Sequence, residues 1–371
     1  MPFHTFELER WQSTWENLVR VNLSESGVHP LSLSELLEIT GADLDAILAL
    51  RMVYNQSDGS ETLRAAIAAL YDGATTDHVT VTVGSSEANF VSCWTLIEPG
   101  DRVAIMTPTY WQTYGLAKNF GATVSEFRLD PERGWEPVSA DIAEAIAPGT
   151  KLVVVTQPNN PTGHILSPDA RDAIVARAQE VGAWILADEV YQGAEHSGPA
   201  TPSLWSGYDR TIVVNGLSKA YGLPGLRIGW IVSSPAFKEQ VVRRHDYTVI
   251  GPTPLSDHLA TLALRSRDRI LARTRGILNA NYPLLRDWMG QLDPLFDWQA
   301  PECGAICFAR YRHPTPSLDF VERARREHDI LLVPGEHFGL QRYIRFGFGN
   351  ERDELQSALD TLTPVFAAMR D

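Results

Sequence analysis

Short apolar runs separated by turn-forming residues dominate the middle of the chain. They occupy residues 79–83, 102–106, 151–155, 184–187, 211–214 and 228–232. Most are continuous rather than alternating, as in strands buried on both faces of a parallel sheet. Helical patterns lie between them; in one, Ser167 is an N-cap followed by Pro168, and Gly182 ends the helix. The pattern predicts a repeating βα arrangement over residues 79–232.

The flanking regions follow different patterns. Residues 5–20 place Trp11, Trp15, Leu18 and Val19 on one face of a predicted amphipathic helix. Residues 254–290 predict long helices. A smaller α+β unit is predicted from residue 291, with strands near 304–311, 330–334 and 343–348 and helices near 317–328 and 352–367. We therefore expect a large domain over residues 46–290 and a smaller domain formed by residues 291–371 with the N-terminal segment 1–45.

Composition supports two globular domains and small-molecule ligands. The 371 residues, 44% of them hydrophobic, are enough to bury two cores. The formal net charge of -14 leaves no general basic surface for nucleic acid or an anionic membrane. The three cysteines form no metal or disulfide pattern, which favours a reducing compartment, and no signal peptide or membrane span is recognisable. The sequence predicts a cytoplasmic enzyme with no metal site.

A lysine and an arginine share one short loop between two predicted strands. Lys219 follows the strand 211–214, and Arg227 comes eight residues later, just before the strand 228–232. An amine in such a turn can form a Schiff base, and a guanidinium can hold a phosphate in fork geometry. The same spacing also fits a solvated loop with two incidental cations. The loop alone does not decide between these interpretations.

A second turn is suited to binding an anion. Gly84, Ser85 and Ser86 follow the strand 79–83 and open a helix. Free backbone N–H groups and the positive end of the helix dipole can cradle a phosphate at such a turn. A simple helix N-cap explains the same residues.

Two charged residues are predicted at buried positions. Asp188 ends the apolar strand 184–187, where a carboxylate is costly unless it has a cationic partner. Arg345 lies inside the alternating strand 343–348 and needs an anion. That anion is either a substrate carboxylate held by two hydrogen bonds or an internal Asp or Glu.

These segments resemble a known enzyme family. The stretch 215–230 around Lys219, the Asn-Pro-Thr-Gly string at 160–163 and the strand end at Asp188 are similar to fold type I enzymes of the class I/II aminotransferase superfamily. The resemblance covers nearly the whole chain. It implies an α/β, aminotransferase-like fold, with a large domain of mixed, mostly parallel sheet flanked by helices and a smaller α+β domain. It also implies pyridoxal 5'-phosphate (PLP) as cofactor and an α-amino acid as substrate.

The resemblance assigns a role to most of the candidate residues. Lys219 is expected to form the Schiff base and act as general base, Asp188 to pair with the pyridine nitrogen, and Tyr191 and Asn160 to donate to the phenolate oxygen of PLP. The expected phosphate ligands are Gly84, Ser85, Ser86, Ser218, Arg227 and, from the other subunit of a homodimer, Tyr54. Tyr110 is expected to stack on the pyridine ring and Arg345 to bind the substrate carboxylate. Together these roles imply an aminotransferase that removes the Cα proton.

A narrower resemblance leaves the reaction open. Five stretches are similar to the capreomycidine synthase-like subgroup, PLP enzymes that eliminate water from a hydroxylated arginine and close a guanidine ring: residues 8–11, 26–29, 84–88, 219–229 and 246–247. This resemblance would make Glu9, Gly27 and His29 substrate-binding, Glu9 by pairing with a guanidinium and His29 by protonating a leaving hydroxyl or positioning the substrate. A helix-face carboxylate and a loop histidine explain Glu9 and His29 equally well. Tyr191 favours an ordinary aminotransferase, because the enzyme for which the subgroup is named is expected to lack a tyrosine at this position.

Two further questions stay open in the sequence. Residues 24–30 are too polar and too rich in Gly and Pro for a regular element, and they form either a loop near the site or a surface loop. A PLP-fold protein that only binds its ligand is an alternative to an enzyme, although the acidic charge argues against a nucleic-acid-binding regulator.

Overall fold

Helices and strands alternate along most of the described chain. The computed structural model describes residues 3–369. Its α-helices are, in chain order, α1 (Glu7–Trp15), α2 (Leu33–Thr40), α3 (Leu44–Leu48), α4 (Glu61–Ala68), α5 (Gly84–Leu96), α6 (Gln112–Asn119), α7 (Ser139–Ala145), α8 (Pro168–Val181), α9 (Pro235–His245), α10 (Pro254–Arg265), α11 (Arg267–Gln291), α12 (Ser317–His328) and α13 (Arg352–Ala367). Its strands are β1 (Val21–Asn22), β2 (Val79–Val83), β3 (Arg102–Thr107), β4 (Thr123–Asp130), β5 (Glu136–Pro137), β6 (Thr150–Thr156), β7 (Trp184–Asp188), β8 (Thr211–Gly216), β9 (Ile228–Val232), β10 (Phe296–Trp298), β11 (Ile306–Tyr311), β12 (Ile330–Leu331), β13 (Val333–Pro334) and β14 (Tyr343–Gly347).

Eight strands form the large sheet, in the order β2-β9-β8-β7-β6-β3-β4-β5. The five strands from β8 to β4 in this order run parallel to one another. Strand β9 is antiparallel to both β8 and β2, and the edge strand β5 is antiparallel to β4. The predicted mixed, mostly parallel sheet is therefore confirmed.

The inner strands are buried on both faces because consecutive positions are apolar. In β6, Val153 and Val154 are 0% and 1% exposed, and they belong to two different hydrophobic clusters. Successive side chains of a strand point to opposite faces, so each cluster covers one face of the sheet. Helices α5 and α9 contribute Val91 and Phe237 to the cluster that contains Val154. This two-sided burial agrees with the continuous apolar runs of the sequence.

A smaller antiparallel sheet lies in the C-terminal part of the chain, in the order β10-β11-β14-β13. The N-terminal segment is joined to this part because β1 pairs in parallel with β12, Val21 opposite Ile330. This pairing agrees with the predicted grouping of residues 1–45 with residues 291–371. The domain boundaries themselves stay predictions. Among residues 3–369, no helix has the length and apolar character that crossing a bilayer requires.

One predicted element differs from the structure, and one strand of the structure is not predicted. The first helix ends at Trp15, not near residue 20, and Leu18 is 71% exposed instead of packed. The chain turns early because Val21 pairs with residue 330 of a distant strand. The long helices predicted over residues 254–290 are present as α10 and α11, which meet at Ser266. Strand β4 was not predicted, because polar residues such as Glu126 and Arg128 interrupt its apolar pattern.

A glycine brings β9 against the start of α5. A Cβ added at Gly229 would lie 2.4 Å from the backbone carbon of Gly84 and 2.4 Å from the backbone nitrogen of Ser85. Real Cβ atoms do not approach backbone atoms this closely, so any larger residue must push the two elements apart. Gly229 therefore sets the position of the first turn of α5.

We expect Gly229→Ala to destabilise the protein by about 1–3 kcal/mol, the cost typical of overpacking a tight contact. Gly276→Ala is the matched control, because a Cβ at Gly276 in α11 meets no atom within 4 Å. Alanine favours a helix interior over glycine, so the control is expected to stabilise by about 0.5–1 kcal/mol. Denaturant unfolding of both variants measures the two changes. Equal effects of the two substitutions would contradict the close contact.

Candidate active site

The carboxyl ends of β6, β7 and β8 open into one cavity of about 330 Å³. Ligand sites of open α/β sheets lie at this edge. The other walls come from α1, from residues 25–26 and from β14. The sequence-predicted residues that line the cavity are Glu9, Ser85, Ser86, Tyr110, Asn160, Asp188, Tyr191, Ser218, Lys219, Arg227 and Arg345. Residues from distant parts of the chain thus converge on one cavity, as a shared site requires.

Lys219 lies in the loop after β8 and forms an ion pair inside the cavity. Its Nζ donates a hydrogen bond to Oε1 of Glu25 at 2.7 Å. Burial disfavours the charged amine, but Glu25 and Tyr191 together outweigh burial, and the pKa of Lys219 is raised. In return, the Lys219 ammonium lowers the pKa of Glu25 to about 2 against the effect of burial. Each partner keeps the other charged at neutral pH.

Asp188 ends β7 as a buried carboxylate, 6% exposed. Its Oδ2 accepts a hydrogen bond from Nδ2 of Asn89 at 2.9 Å, and its Oδ1 accepts one from the backbone N–H of Val190 at 3.3 Å. No basic side chain of residues 3–369 forms an ion pair with it. Burial raises the pKa of Asp188, while the bond from Asn89 opposes that rise. A buried carboxylate in this state suits a protonated ring nitrogen of a ligand.

The first turn of α5 and the Arg227 side chain form an anion cradle. Gly84 has a φ of +78°, and a Cβ there would lie 2.2 Å from Nη2 of Arg227. Nη1 of Arg227 is 3.4 Å from Oγ of Ser218. The N-terminus of a helix, two serines and a guanidinium are thus directed to one place, which suits a phosphate.

Arg345 on β14 is 1% exposed and has no carboxylate within 4.0 Å among the described residues. Its Nη1 donates to Oδ1 of Asn160 at 2.9 Å, Nη2 donates to the backbone oxygen of Ser24, and Nε has no partner. Burial lowers the pKa of Arg345. Of the two anions that the sequence allowed, an internal carboxylate is therefore not the one present, and a substrate carboxylate fits.

Two tyrosines complete the cavity and contact the N-terminal segment. The hydroxyl of Tyr110 donates to Oε1 of Glu9 at 2.5 Å, and burial together with Glu9 raises its pKa. The hydroxyl of Tyr191 donates to Oγ of Ser26 at 2.9 Å. Both rings line the cavity, as predicted, and stacking of Tyr110 on a cofactor ring stays a prediction.

Four predicted residues lie outside the cavity lining, namely Gly84, which forms the anion cradle behind Ser85, and Gly27, His29 and Tyr54. Gly27 is directly behind Lys219, since a Cβ there would lie 3.6 Å from its Cδ. The ring of His29 bonds instead to Nη2 of Arg273 at 3.0 Å and lies 3.1 Å from Glu351. The structure therefore gives no support to a substrate contact by His29. Tyr54 is 91% exposed on the single protomer, and its expected reach into a second subunit stays a prediction.

Sequence reasoning missed several residues that line or support the cavity. They are Gln12, Glu16, Glu25 and Ser26 of the N-terminal segment and Asn89 of α5. The loop 24–30 is near the site, which answers the question left open by the sequence. Glu25 contacts a lysine 194 residues away, which no local pattern reveals. A signal existed for Asn89, an amide on the face of α5 that also carries the apolar residues Cys93 and Leu96.

The residues present fit a phosphate-bearing ring that carries a proton on nitrogen. A Cβ at Gly84 would fill the cradle, so that glycine keeps the space open. Within the described chain, Asp188 forms no ion pair and the buried Nε of Arg345 has no hydrogen-bond partner. Groups of cysteine, histidine, aspartate and glutamate that could hold a metal ion are absent from residues 3–369.

Comparisons with known proteins agree with this fit. Residues 41–362 match the family model described as aminotransferase class I and II. Capreomycidine synthase of Streptomyces vinaceus is 32% identical over 358 residues, which cover 96% of this chain and 92% of that protein.

Two solved structures are similar over nearly the whole chain. A PLP-dependent aminotransferase from Streptococcus suis has a TM-score of 0.94 at 33% identity, covering 100% of this chain and 99% of that one. The PLP-dependent cyclase OrfR has a TM-score of 0.92 at 29% identity, covering 99% of this chain and 98% of that one. One neighbour is an aminotransferase and the other a cyclase, so the comparisons identify a family more closely than a reaction.

We expect Asn89→Ala to weaken PLP binding about tenfold or more, because hydrogen bonds to charged groups contribute about 1.5–3 kcal/mol. Without the Asn89 bond, burial of Asp188 favours its neutral form, which holds a protonated nitrogen less well. Titration of the apoprotein with PLP, followed by absorbance, gives the dissociation constant. Ser92→Ala is the control, since the Ser92 hydroxyl is buried on the same helix without a partner. Unchanged affinity in both variants would refute this role of Asn89.

Proposed function

Because the chain belongs to the aminotransferase class I and II family of PLP-dependent enzymes, we propose that it transfers the amino group of an α-amino acid. The observation that carries the proposal is the convergence of Lys219, Asp188 and Arg345 on one cavity. Membership of this enzyme family also sets aside the alternative of a protein that only binds its ligand.

Each of these side chains has a distinct task. PLP, when bound, supplies an electron sink that stabilises negative charge at Cα of the substrate. Asp188 holds the proton on the ring nitrogen of the cofactor. Arg345 binds the substrate α-carboxylate with paired N–H groups and so fixes the orientation of Cα. Lys219, when neutral, accepts the Cα proton on Nζ as general base.

A second candidate function is the elimination and ring closure of a hydroxylated arginine. The observation that favours it is an acidic wall formed by Glu9, Glu16 and Glu25 in the same cavity. Burial raises the pKa of Glu16, and the charges of Glu25 and Glu9 raise it further. Three carboxylates in one wall favour a substrate with a cationic side chain. Tyr191, which ordinary aminotransferases share, keeps transamination as our first proposal.

The two candidates are separated by mixing PLP-loaded protein with common amino acids, arginine and hydroxylated arginines, with no keto-acid acceptor present. We expect one amino acid to yield its keto acid and the aminated form of the cofactor. Spectra and product masses are followed together. Loss of the mass of water from a hydroxyarginine, with an unchanged cofactor, would instead establish the cyclase. A preference for aspartate or glutamate over arginine would contradict the cationic side chain.

We also propose a homodimer, since members of this family are commonly dimeric. The protomer exposes Leu48, Met52, Val53 and Tyr54 at 73%, 74%, 54% and 91%. A cluster of exposed apolar side chains in one segment favours a partner surface. Tyr54 from this segment would then supply its hydroxyl to the cofactor phosphate of the other subunit. A cytoplasmic location is part of the proposal and is supported by three cysteines that are buried and unpaired.

Met52→Asp is expected to convert a dimer into monomers, because it places a charge in the proposed apolar interface. Sedimentation velocity measures the change. Leu18→Asp is the control, because Leu18 is 71% exposed and lies outside that segment. This variant is expected to remain a dimer. Tyr54→Phe is expected to keep the dimer and weaken PLP binding. A fully active wild-type monomer would contradict the role of Tyr54.

A further inference from the structure

Glu25 contacts the reactive lysine, and the proposed mechanism gives it no task. Its Oε1 accepts the 2.7 Å hydrogen bond from Nζ of Lys219 and a 3.2 Å bond from the backbone N–H of Ser26. The carboxylate lines the cavity and is half-buried. A charged group within hydrogen-bond distance of the general base can take part in every step that changes the charge of that base.

The backbone of residues 23–28 fixes the place of Glu25. The backbone N–H of Leu23 donates a hydrogen bond to the backbone oxygen of Leu331 at 2.9 Å. The backbone oxygen of Leu23 accepts a hydrogen bond from the N–H of Gly347 at 2.7 Å. A Cβ at Gly347 would lie 2.2 Å from the backbone oxygen of Glu25. This segment is therefore held against β14 by backbone contacts, and glycine is required for the approach.

The same segment also touches Arg345 and Tyr191, two of the other groups assigned to substrate or cofactor. The backbone oxygen of Ser24 accepts from Arg345, and the hydroxyl of Ser26 accepts from Tyr191. Gly27 lies against the stem of Lys219. The contact between Glu25 and Lys219 thus belongs to a built arrangement in which consecutive residues serve one site.

We propose that Glu25 is the proton-holding partner of Lys219: it stabilises the ammonium formed when the lysine takes the Cα proton and retains that proton in the site for return to the substrate or cofactor. In this step the C–H bond breaks, its electron pair stays on the carbon side, and the proton forms a new N–H bond at Nζ. Glu25 accepts a hydrogen bond from that ammonium. The inference rests on the proposed function, because it assumes that Lys219 is the base.

The charges that face Lys219 favour this role for Glu25. Glu16 and Glu25 face it from the N-terminal segment, Asp188 and Tyr191 from the end of β7, and Arg345 from β14. Among the described carboxylates, Glu25 alone forms an ion pair with it. Burial and Arg345 both disfavour an ammonium at Nζ, and Glu25 together with Tyr191 outweighs them, so that the pKa of Lys219 is raised.

The first test uses the apoprotein and does not depend on turnover. Acetic anhydride labels neutral amines, and peptide masses give the extent of labelling of Lys219 at each pH. Glu25→Gln removes the charge that favours the ammonium, so Lys219 becomes neutral at lower pH. We expect the labelling midpoint to fall by at least about one pH unit, a tenfold change in the protonation equilibrium.

Two variants keep this test decisive. Glu16→Gln removes a carboxylate of the same cavity that forms no ion pair with Lys219, and its midpoint is expected to stay near that of the wild type. Glu25→Asp keeps the negative charge, so its labelling midpoint is expected to lie closer to that of the wild type than to that of Glu25→Gln. If Glu25→Gln does not fold, the midpoint of Glu25→Asp is compared with the wild type instead. Coinciding midpoints for wild type and Glu25→Gln would overturn the proposal.

The second test measures proton retention in the PLP-loaded enzyme. With an amino acid substrate in deuterated water, Glu25→Gln is expected to raise the ratio of Cα exchange to product formation at least threefold. An unchanged ratio would overturn proton retention by Glu25. If the wild type exchanges the Cα proton of no amino acid, the proposed function is wrong. The labelling midpoints of the first test still show whether Glu25 shifts the protonation of Lys219.

Discussion

The structure depends on two buried charges of opposite sign that have no charged partner of their own. Asp188 ends the large sheet and Arg345 lies in the smaller one, and neither forms an ion pair with another described residue. Leaving one member of a buried pair without its partner costs about 3–5 kcal/mol. A ligand that is cationic where it meets Asp188 and anionic where it meets Arg345 removes both costs. The cavity between the two sheets is therefore suited to a ligand that carries both charges.

Glycines make this arrangement possible at both sides of the cavity. Gly229 lets β9 approach the first turn of α5, and Gly347 lets residues 23–28 approach β14. In both places the glycine has no side chain, so two backbone segments lie in direct contact. Such a contact is stiffer than one made through long, flexible side chains. These contacts fix the positions of the anion cradle and of the N-terminal segment. The site is therefore preorganised before a ligand binds.

The sequence was sufficient for the parts of the molecule that local patterns determine. Continuous apolar runs predicted the inner strands, and the strand-end position of Asp188 predicted a buried carboxylate in need of a cation. The contact between Glu25 and Lys219 joins residues 194 positions apart, and the early end of α1 follows from pairing with residue 330. Neither has a periodic signal, because both depend on tertiary contacts that override local preference. Strand β4 also lacks a clear local pattern, because charged residues interrupt it, and it forms through its pairing with β3.

The groups suited to the cofactor and the groups that distinguish one substrate from another come from different parts of the chain. The large sheet and its loops supply Asp188, Lys219 and the anion cradle, which any reaction of the family needs. The acidic wall of Glu9, Glu16 and Glu25 comes wholly from the N-terminal segment, which pairs with the C-terminal unit. Fold and cofactor do not fix the reaction. The choice between transamination and ring closure therefore depends on what the N-terminal segment presents to the substrate side chain and to the proton on Lys219.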